Sequence, residues 1–303
     1  MKKQQLKLLI LLGAAFAFTW TSCKKDKATE VNPQEAPIRP VKASSNAYVT
    51  DLFDFNPAPG QFTNTGLGDT AAAKATLKTD QGLVSLGGWG GYIVVGFDHT
   101  VLNTDGKTDF VVYGNAFEKF AEPGVIWVMQ DKNGNGKPDD TWYEIEGSAS
   151  HKDGYVRNYS VTYTRPARDI HTGLPCDTCS VPWKDNKGNT GVIQTNMFHT
   201  QAYYPIGLKT DTYTLTGSLL PSSNINMDDP TFITSASFDY GYADNSAGGD
   251  KIDISSAIDD KGNKVNLKGI DFIKVQTGIL ANMGWLGEQS TEFTGAADLS
   301  LLK

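Results

Sequence analysis

The run Tyr92-Ile93-Val94-Val95-Gly96-Phe97, followed after a polar break by Phe110-Val111-Val112-Tyr113, decides the fold. Both pieces are short, β-branched and aromatic, and both are bounded by Gly, Asn or Asp. That composition suits a pleated, half-buried surface punctuated by turns. The same unit recurs outward from there. Val125-Ile126-Trp127-Val128-Met129 comes next, then Trp142-Tyr143-Glu144-Ile145-Glu146 with period-two alternation. Tyr159–Tyr163, Thr212–Leu215, Ser235–Phe238 and Phe272–Val275 repeat it toward the C-terminus. About ten short strands separated by turn residues predict an all-β chain, an antiparallel β-sandwich of jelly-roll type. Helical periodicity is nearly absent, and the Ala-rich stretch Thr70–Leu77 has room for one short helix.

Composition agrees. Of 303 residues, 39% are hydrophobic and 20% charged, which is enough apolar material for a core and excludes a disordered chain. The 31 glycines and 13 prolines fit a turn-rich β protein rather than a helical bundle. With 27 basic against 34 acidic residues, a net charge of −7 and no basic stripe, nucleic acid is excluded as a partner class.

The chain begins with Lys2, Lys3 and Lys7, then the apolar run Leu8–Phe18, then Trp20-Thr21-Ser22-Cys23. The run is shorter than the roughly 20 residues of a membrane span and has the flanks of a secretory signal. Residues 1–22 therefore read as a lipoprotein signal peptide and Cys23 as the acylated residue. Losing the three leader lysines takes the net charge from −7 to −10. Residues 23–45, rich in Lys, Pro, Ala and Ser, read as a lipid-anchored flexible tether, so the membrane is met only through the anchor. The expected location is the outer membrane, at the cell surface or on the periplasmic face. Residues 46–303 are expected to form the sandwich, with one long irregular insertion at about 164–204. Within it Cys176 and Cys179 read as a small disulfide loop. A zinc half-site is the alternative, but it lacks a second Cys or His pair at suitable spacing.

The sharpest local motif is Asp131-Lys132-Asn133-Gly134-Asn135-Gly136-Lys137-Pro138-Asp139-Asp140. Oxygen side chains fall at the first, third and fifth positions, glycine at the sixth and carboxylates at the ninth and tenth. Calcium takes six to eight hard oxygen ligands, and alternate residues of a tight loop can turn theirs inward. The expected ligands are Asp131, Asn133, Asn135, the Lys137 carbonyl, Asp139 and Asp140, with Glu144 as a further candidate. The ion would be structural. Trp142 stands at the twelfth position, where an EF-hand has its bidentate Glu, and strands rather than helices flank the loop. The other reading is an Asn-Gly hairpin with solvated acids. A looser acidic group, Asp239, Asp244, Asp250 and Asp253, surrounds Gly248-Gly249. Asp259–Asn263 reads as a hairpin turn.

Aromatic residues cluster in or beside the insertion. Trp183, Asn186, His199, Tyr203 and Tyr204, with Trp285 from a glycine-rich turn, are the candidate ligand-binding residues, because a ring-lined loop surface can hold a flat or ring-shaped ligand. The competing reading places each ring in a sandwich core. No His-Glu-x-x-His, Gly-x-Ser-x-Gly, Walker loop or dinucleotide fingerprint occurs, and the four histidines form no recognisable triad. The expectation is a protein that binds rather than catalyses.

Gly87–His99, Asp109–Asn115, Glu122-Pro123-Gly124, Asp131–Glu144, Trp183–Asn186, Phe198–Gln201 and Gly287-Glu288-Gln289-Ser290-Thr291-Glu292 together resemble a family of Bacteroidetes cell-surface lipoproteins. The Gly-Gly-Asp-x-x-Asp pattern at Gly248–Asp253 is shared with more distant, galactose-binding-like sandwiches. The resemblance implies a jelly-roll body and surface capture of a ligand. In some members that ligand is a corrinoid such as vitamin B12, passed to a TonB-dependent outer-membrane transporter. The alternative is a calcium-stabilised carbohydrate-binding module of a glycan-utilisation system.

Overall fold

A computed structural model describes residues 36–168 and 179–303. The signal segment, Cys23, most of the tether and Cys176 lie outside the described residues. The chain is nearly all β with antiparallel sheets, sandwich-like, and without a closed barrel. The strand that decides the fold, β3 (Tyr92–Leu102), sits inside the largest sheet. That sheet runs β1 (Asp51–Asn56), β3, β16 (Gly269–Thr277), β5 (Gly124–Met129), β6 (Tyr143–Ile145), β15 (Ala257–Ile258), with β13 (Tyr242–Ala243) also paired to β5. A three-stranded sheet, β14 (Asp250–Ile252), β4 (Phe110–Tyr113) and β18 (Gly295–Asp298), forms a second layer. A short pair, β2 (Val84–Ser85) with β17 (Glu292–Phe293), lies beside them.

Alternation explains the layering. Ile93, Val95 and Phe97 of β3, Ile273 and Val275 of β16, and Ile126 and Val128 of β5 share one core cluster with Phe110 and Val112 of β4, Ile252 and Ala296. Each such side chain, fully buried, contributes about 1.5–3 kcal/mol. Residues of the opposite parity make the outer face. The register sets Asp54, Val94, Lys274, Trp127 and Glu144 in one row across β1, β3, β16, β5 and β6. The Ala-rich stretch forms α1 (Thr70–Ala75), capped by Asp69 accepting from the Ala72 N–H. Among the described residues no helix is long and apolar enough to cross a membrane.

The segment expected to be irregular is partly regular. β8 (Val181–Asp185) and β9 (Thr190–Ile193) form a hairpin that extends β10 (Thr212–Leu219) and β7 (Val156–Thr164) into a four-stranded sheet. Pro182 disguised it, since proline argues against an inner strand. It lies one residue beyond the Trp183–Tyr163 pair that ends the register with β7. This sheet has its own core of Trp89, Tyr159, Val161, Tyr163, Val181, Ile193, Tyr203, Tyr204 and Leu215. A last pair, β11 (Ile225–Asn226) with β12 (Thr234–Ser235), completes the strands.

Two polar clasps tie the ends of the body to its centre. Arg39 Nε donates to the buried Asp271 Oδ1 at 2.9 Å, and the Arg39 N–H donates to Thr100 Oγ1. Asp271 Oδ2 in turn accepts from the Asp131 N–H at 2.7 Å. The His99 ring lies between Asp98 and Asp298, at 2.8 and 2.9 Å. Burial opposes a charge on His99, but the two carboxylates outweigh it and raise its pKa.

Candidate functional site

Four carboxyl groups from three separated stretches meet in the body. The β5–β13 pairing sets Glu122, just before β5, beside Asp244, just after β13, and the Glu122 N–H donates to the Asp244 carbonyl at 2.9 Å. The segment Gly287–Glu292 then crosses both. The Ser290 N–H donates to Glu122 Oε1, Thr291 Oγ1 donates to the Glu122 carbonyl, and the Glu292 N–H donates to Asp244 Oδ2. Asp244 has a left-handed backbone, φ 50°. Gly114 leaves room for it: a Cβ there would stand 2.3 Å from Asp244 Oδ1.

Oxygens of Glu122, Asp244 and Glu292 all lie within 4.8 Å of one another. The Glu122 and Glu292 carboxyl groups are close enough for each to shift the other's pKa. Burial, and then the neighbouring carboxylates, push both groups and Asp244 far toward the protonated form. Glu288 is pushed up to about 8, again mainly by burial. No ion pair offsets any of the four among the described residues. The Asn115 amide lies 3.3 Å from both Asp244 Oδ1 and Glu292 Oε2. Either its NH2 donates to both carboxylates, or its carbonyl oxygen joins them around a cation.

Glu122 and Glu288 reach a pocket of about 190 Å3, whose other polar walls are Gln61, Asn115 and Ser235 and whose apolar walls are Phe117, Phe120, Ala121, Met283 and Leu286. Glu288 Oε1 accepts from the Gln61 N–H at 2.7 Å, while Oε2, buried, has no hydrogen-bond partner among the described residues. From the pocket wall the rings step outward: Phe120 stands 4.9 Å from Phe117 and 6.1 Å, edge-on, from Phe232. Phe117 and Phe232 are exposed. The arrangement offers hard oxygen donors at the base and apolar contact at the mouth, which suits a divalent cation and a small ring-bearing ligand.

The sequence-derived candidates separate. Trp285 is exposed next to the pocket residue Leu286 and donates its indole N–H to the Pro230 carbonyl. His199 is half-buried against Phe62, and burial lowers its pKa. It reaches the pocket only through Asn196, which accepts the His199 N–H and donates to Gln61 Oε1. Tyr203 and Tyr204 are a correction: both are sealed in the second core, the Tyr203 hydroxyl accepting from the Asn196 N–H. Hydrogen bonds from Gly60 and Asn64 hold residues 202–204, so these rings fill space beside Trp89 and Leu215 instead of facing outward. Trp183 belongs to β8 and lies over Gly191, where a Cβ would stand 2.5 Å from its ring. Asn186 is exposed at the β8–β9 turn and donates to the Asn158 carbonyl. Cys179 is disulfide-bonded, and Cys176 lies outside the described residues.

The loop 131–140 closes on itself. Asp131 accepts the Gly134, Asn135 and Gly136 N–H groups, Asn133 and Asn135 donate to Asp139, and Asp140 accepts the Lys132 N–H. The amide donors, Asn135 first, hold the Asp139 carboxyl below its usual range. Asp131, Asn133, Asn135, Lys137, Asp139 and Asp140 thus share one turn with the oxygen chemistry calcium requires. Glu144 does not join them: it is buried in β6, where it accepts from the Tyr155 hydroxyl and Ser218 Oγ. The acidic group 239–253 also disperses. Asp250 caps Asn245, Asp253 caps Ser255, and Asp244 alone enters the pocket cluster. No family model and no curated protein matches the chain.

Proposed function

We propose that this chain is a non-catalytic ligand-capture lipoprotein, anchored through Cys23, that holds a calcium ion at Glu122, Asp244 and Glu292. In its pocket it takes the ring-sized, hydroxyl-bearing end of a glycan. The observation that carries the reading is Glu288 Oε2, buried beside a carboxylate cluster, with neither a partner for that oxygen nor an ion pair for the cluster among the described residues. A buried unpaired carboxylate is costly, and a divalent ion with ligand hydroxyls relieves the cost of the whole group at once.

Size favours a glycan end over a corrinoid. The pocket of about 190 Å3 falls below the ~300–1,000 Å3 of drug-sized sites, so a corrin would have to rest on Phe117 at its mouth and on Phe232 and Trp285 outside it. Hydrolysis is disfavoured by spacing. Glycosidase carboxyl groups stand about 5–9.5 Å apart with the scissile bond between them, whereas oxygens of Glu122, Asp244 and Glu292 lie within 4.8 Å of one another. The loop 131–140 is proposed as a second, structural calcium site. Delivery to a TonB-dependent outer-membrane transporter is the proposed downstream step.

The test is calorimetric titration of the chelated protein with calcium, then of the loaded protein with a glycan panel and with cyanocobalamin. Two calcium sites are expected, one lost in Glu292→Gln and the other in Asp139→Asn. Binding of neutral glycans should require calcium and disappear in Glu292→Gln. Cyanocobalamin binding without any glycan binding would reverse the choice of ligand, and a Glu292→Gln titration identical to wild type would remove the cation from the pocket.

A further inference from the structure

A second cavity lies on the outer face of the large sheet, apart from the acidic pocket and sharing no lining residue with it. It is a groove of about 550 Å3, within the range of small-molecule sites, between the sheet and β10. Its floor carries Lys274, in the row Asp54–Val94–Lys274–Trp127–Glu144.

The setting of Lys274 is unusual for a lysine. It stands mid-sheet with its ammonium 4.6 Å from the Trp127 ring centroid and 5.7 Å from that of Tyr92. It makes no hydrogen bond or ion pair among the described residues. The acids at the two ends of its row are engaged elsewhere. Asp54 accepts from the Tyr92 hydroxyl at 2.8 Å, and Glu144 accepts from Tyr155 and Ser218. Burial pulls the Lys274 pKa down to about 8, with Glu144 acting in the opposite sense. Lys274 is half-buried, and no acceptor side chain takes its three ammonium donors among the described residues. Around them the groove supplies the half-buried indole of Trp142, the ring of Tyr92, the exposed hydroxyls of Thr214 and Thr216, and the Asn56 amide.

We propose that this groove is a second binding site, selective for a carboxylate-bearing saccharide such as a short uronic-acid chain. The acid group pairs with Lys274 Nζ and the sugar face packs on Trp142 and Tyr92. The charge assigns the class. A half-buried cation without an acceptor side chain among the described residues discriminates in favour of a ligand that brings one, since charge-assisted hydrogen bonds are the stronger kind. The rings and hydroxyls match the two faces of a pyranose, apolar C–H on one side and hydroxyls at the edge. This site does not depend on calcium in the acidic pocket.

The experiment titrates the full-length protein, in chelator and at pH 7, with trigalacturonate and with neutral maltotriose. Trigalacturonate is expected to bind at least tenfold more tightly than maltotriose and to weaken with salt. Lys274→Met should lower its affinity at least tenfold, Lys274→Arg should retain most of it, and Trp142→Ala should weaken it while leaving the melting temperature of the body near wild type. Equal affinity for the two sugars, no trigalacturonate binding, or a folded Lys274→Met protein that binds as wild type would each overturn the proposal and leave Lys274 a packing residue over Trp127. Glu292→Gln must bind trigalacturonate as wild type does, which separates failure here from failure at the acidic pocket.

Discussion

Glu288 and Asp131 show two opposite ways of burying a carboxylate. Asp131 is satisfied from within its own turn by three backbone N–H groups. Removing it leaves those donors unpaired whether or not an ion is bound, so Asp131→Ala should destabilise the protein by about 2–4 kcal/mol with or without calcium. Asp139 is exposed and held only by the Asn133 and Asn135 amides. Asp139→Asn should leave the chelated melting curve within a degree or so and remove the calcium-dependent rise, a comparison thermal melts will decide. Glu288 has one oxygen paired and one orphaned. Its folded pKa, about 8, lies above its unfolded value near 4.5, so the folded state holds the extra proton between those limits. Its contribution is complete below pH 4.5 and is lost as pH rises through 8. Chelated protein should therefore melt progressively lower from pH 5 to pH 9. Glu288→Gln, which keeps the acceptor for Gln61 without the charge, should flatten that decline by several degrees, at roughly 2–4 °C per kcal/mol for a body of this size.

Among elements, β16 carries the most consequence. It lies between β3 and β5, buries Ile273 and Val275 on one face and presents Lys274 on the other. Ile273→Ala should cost about 2–5 kcal/mol, whereas Val192→Ala, on the exposed side of edge strand β9, should stay within about 0.5 kcal/mol. Denaturant midpoints will rank the two. The strands were readable because their period-two pattern is local: Tyr92–Phe97, Phe110–Tyr113 and Phe272–Val275 all form as written. The α1 helix and the turn at Asp259–Asn263 were readable for the same reason. The β8–β9 hairpin was not, because Pro182 and the charged pair Lys184-Asp185 carry loop chemistry while the residues that bury it, Val181 and Ile193, are isolated in sequence.

At the scale of the whole molecule, the acidic pocket is a product of topology. Glu122 and Glu292 are 170 positions apart, and only the β5–β13 pairing and the crossing of 287–292 bring them together. Proximity in sequence grouped Asp244 with Asp239, Asp250 and Asp253, none of which it joins. Gly114-Asn115, Glu122-Pro123-Gly124 and Gly287–Glu292 are the pieces that converge on the pocket, and nothing in any one of these short stretches announces the others. The aromatic residues were harder to sort, because Tyr203 and Trp285 both sit in stretches of small and polar residues without strand periodicity. Which ring is sealed and which exposed is fixed only when Trp89 and the β10 residue Leu215 pack with Tyr203 and Tyr204.

The Arg39 clasp gives the body a mechanical character. A pull on the chain from the N-terminal side reaches Arg39, which is fastened to Asp271 of the central strand β16 and to Thr100 of β3. Load entering there is spread over the centre of the large sheet instead of peeling an edge. Because Asp271 also grips the Asp131 amide, the same tug arrives at the 131–140 turn.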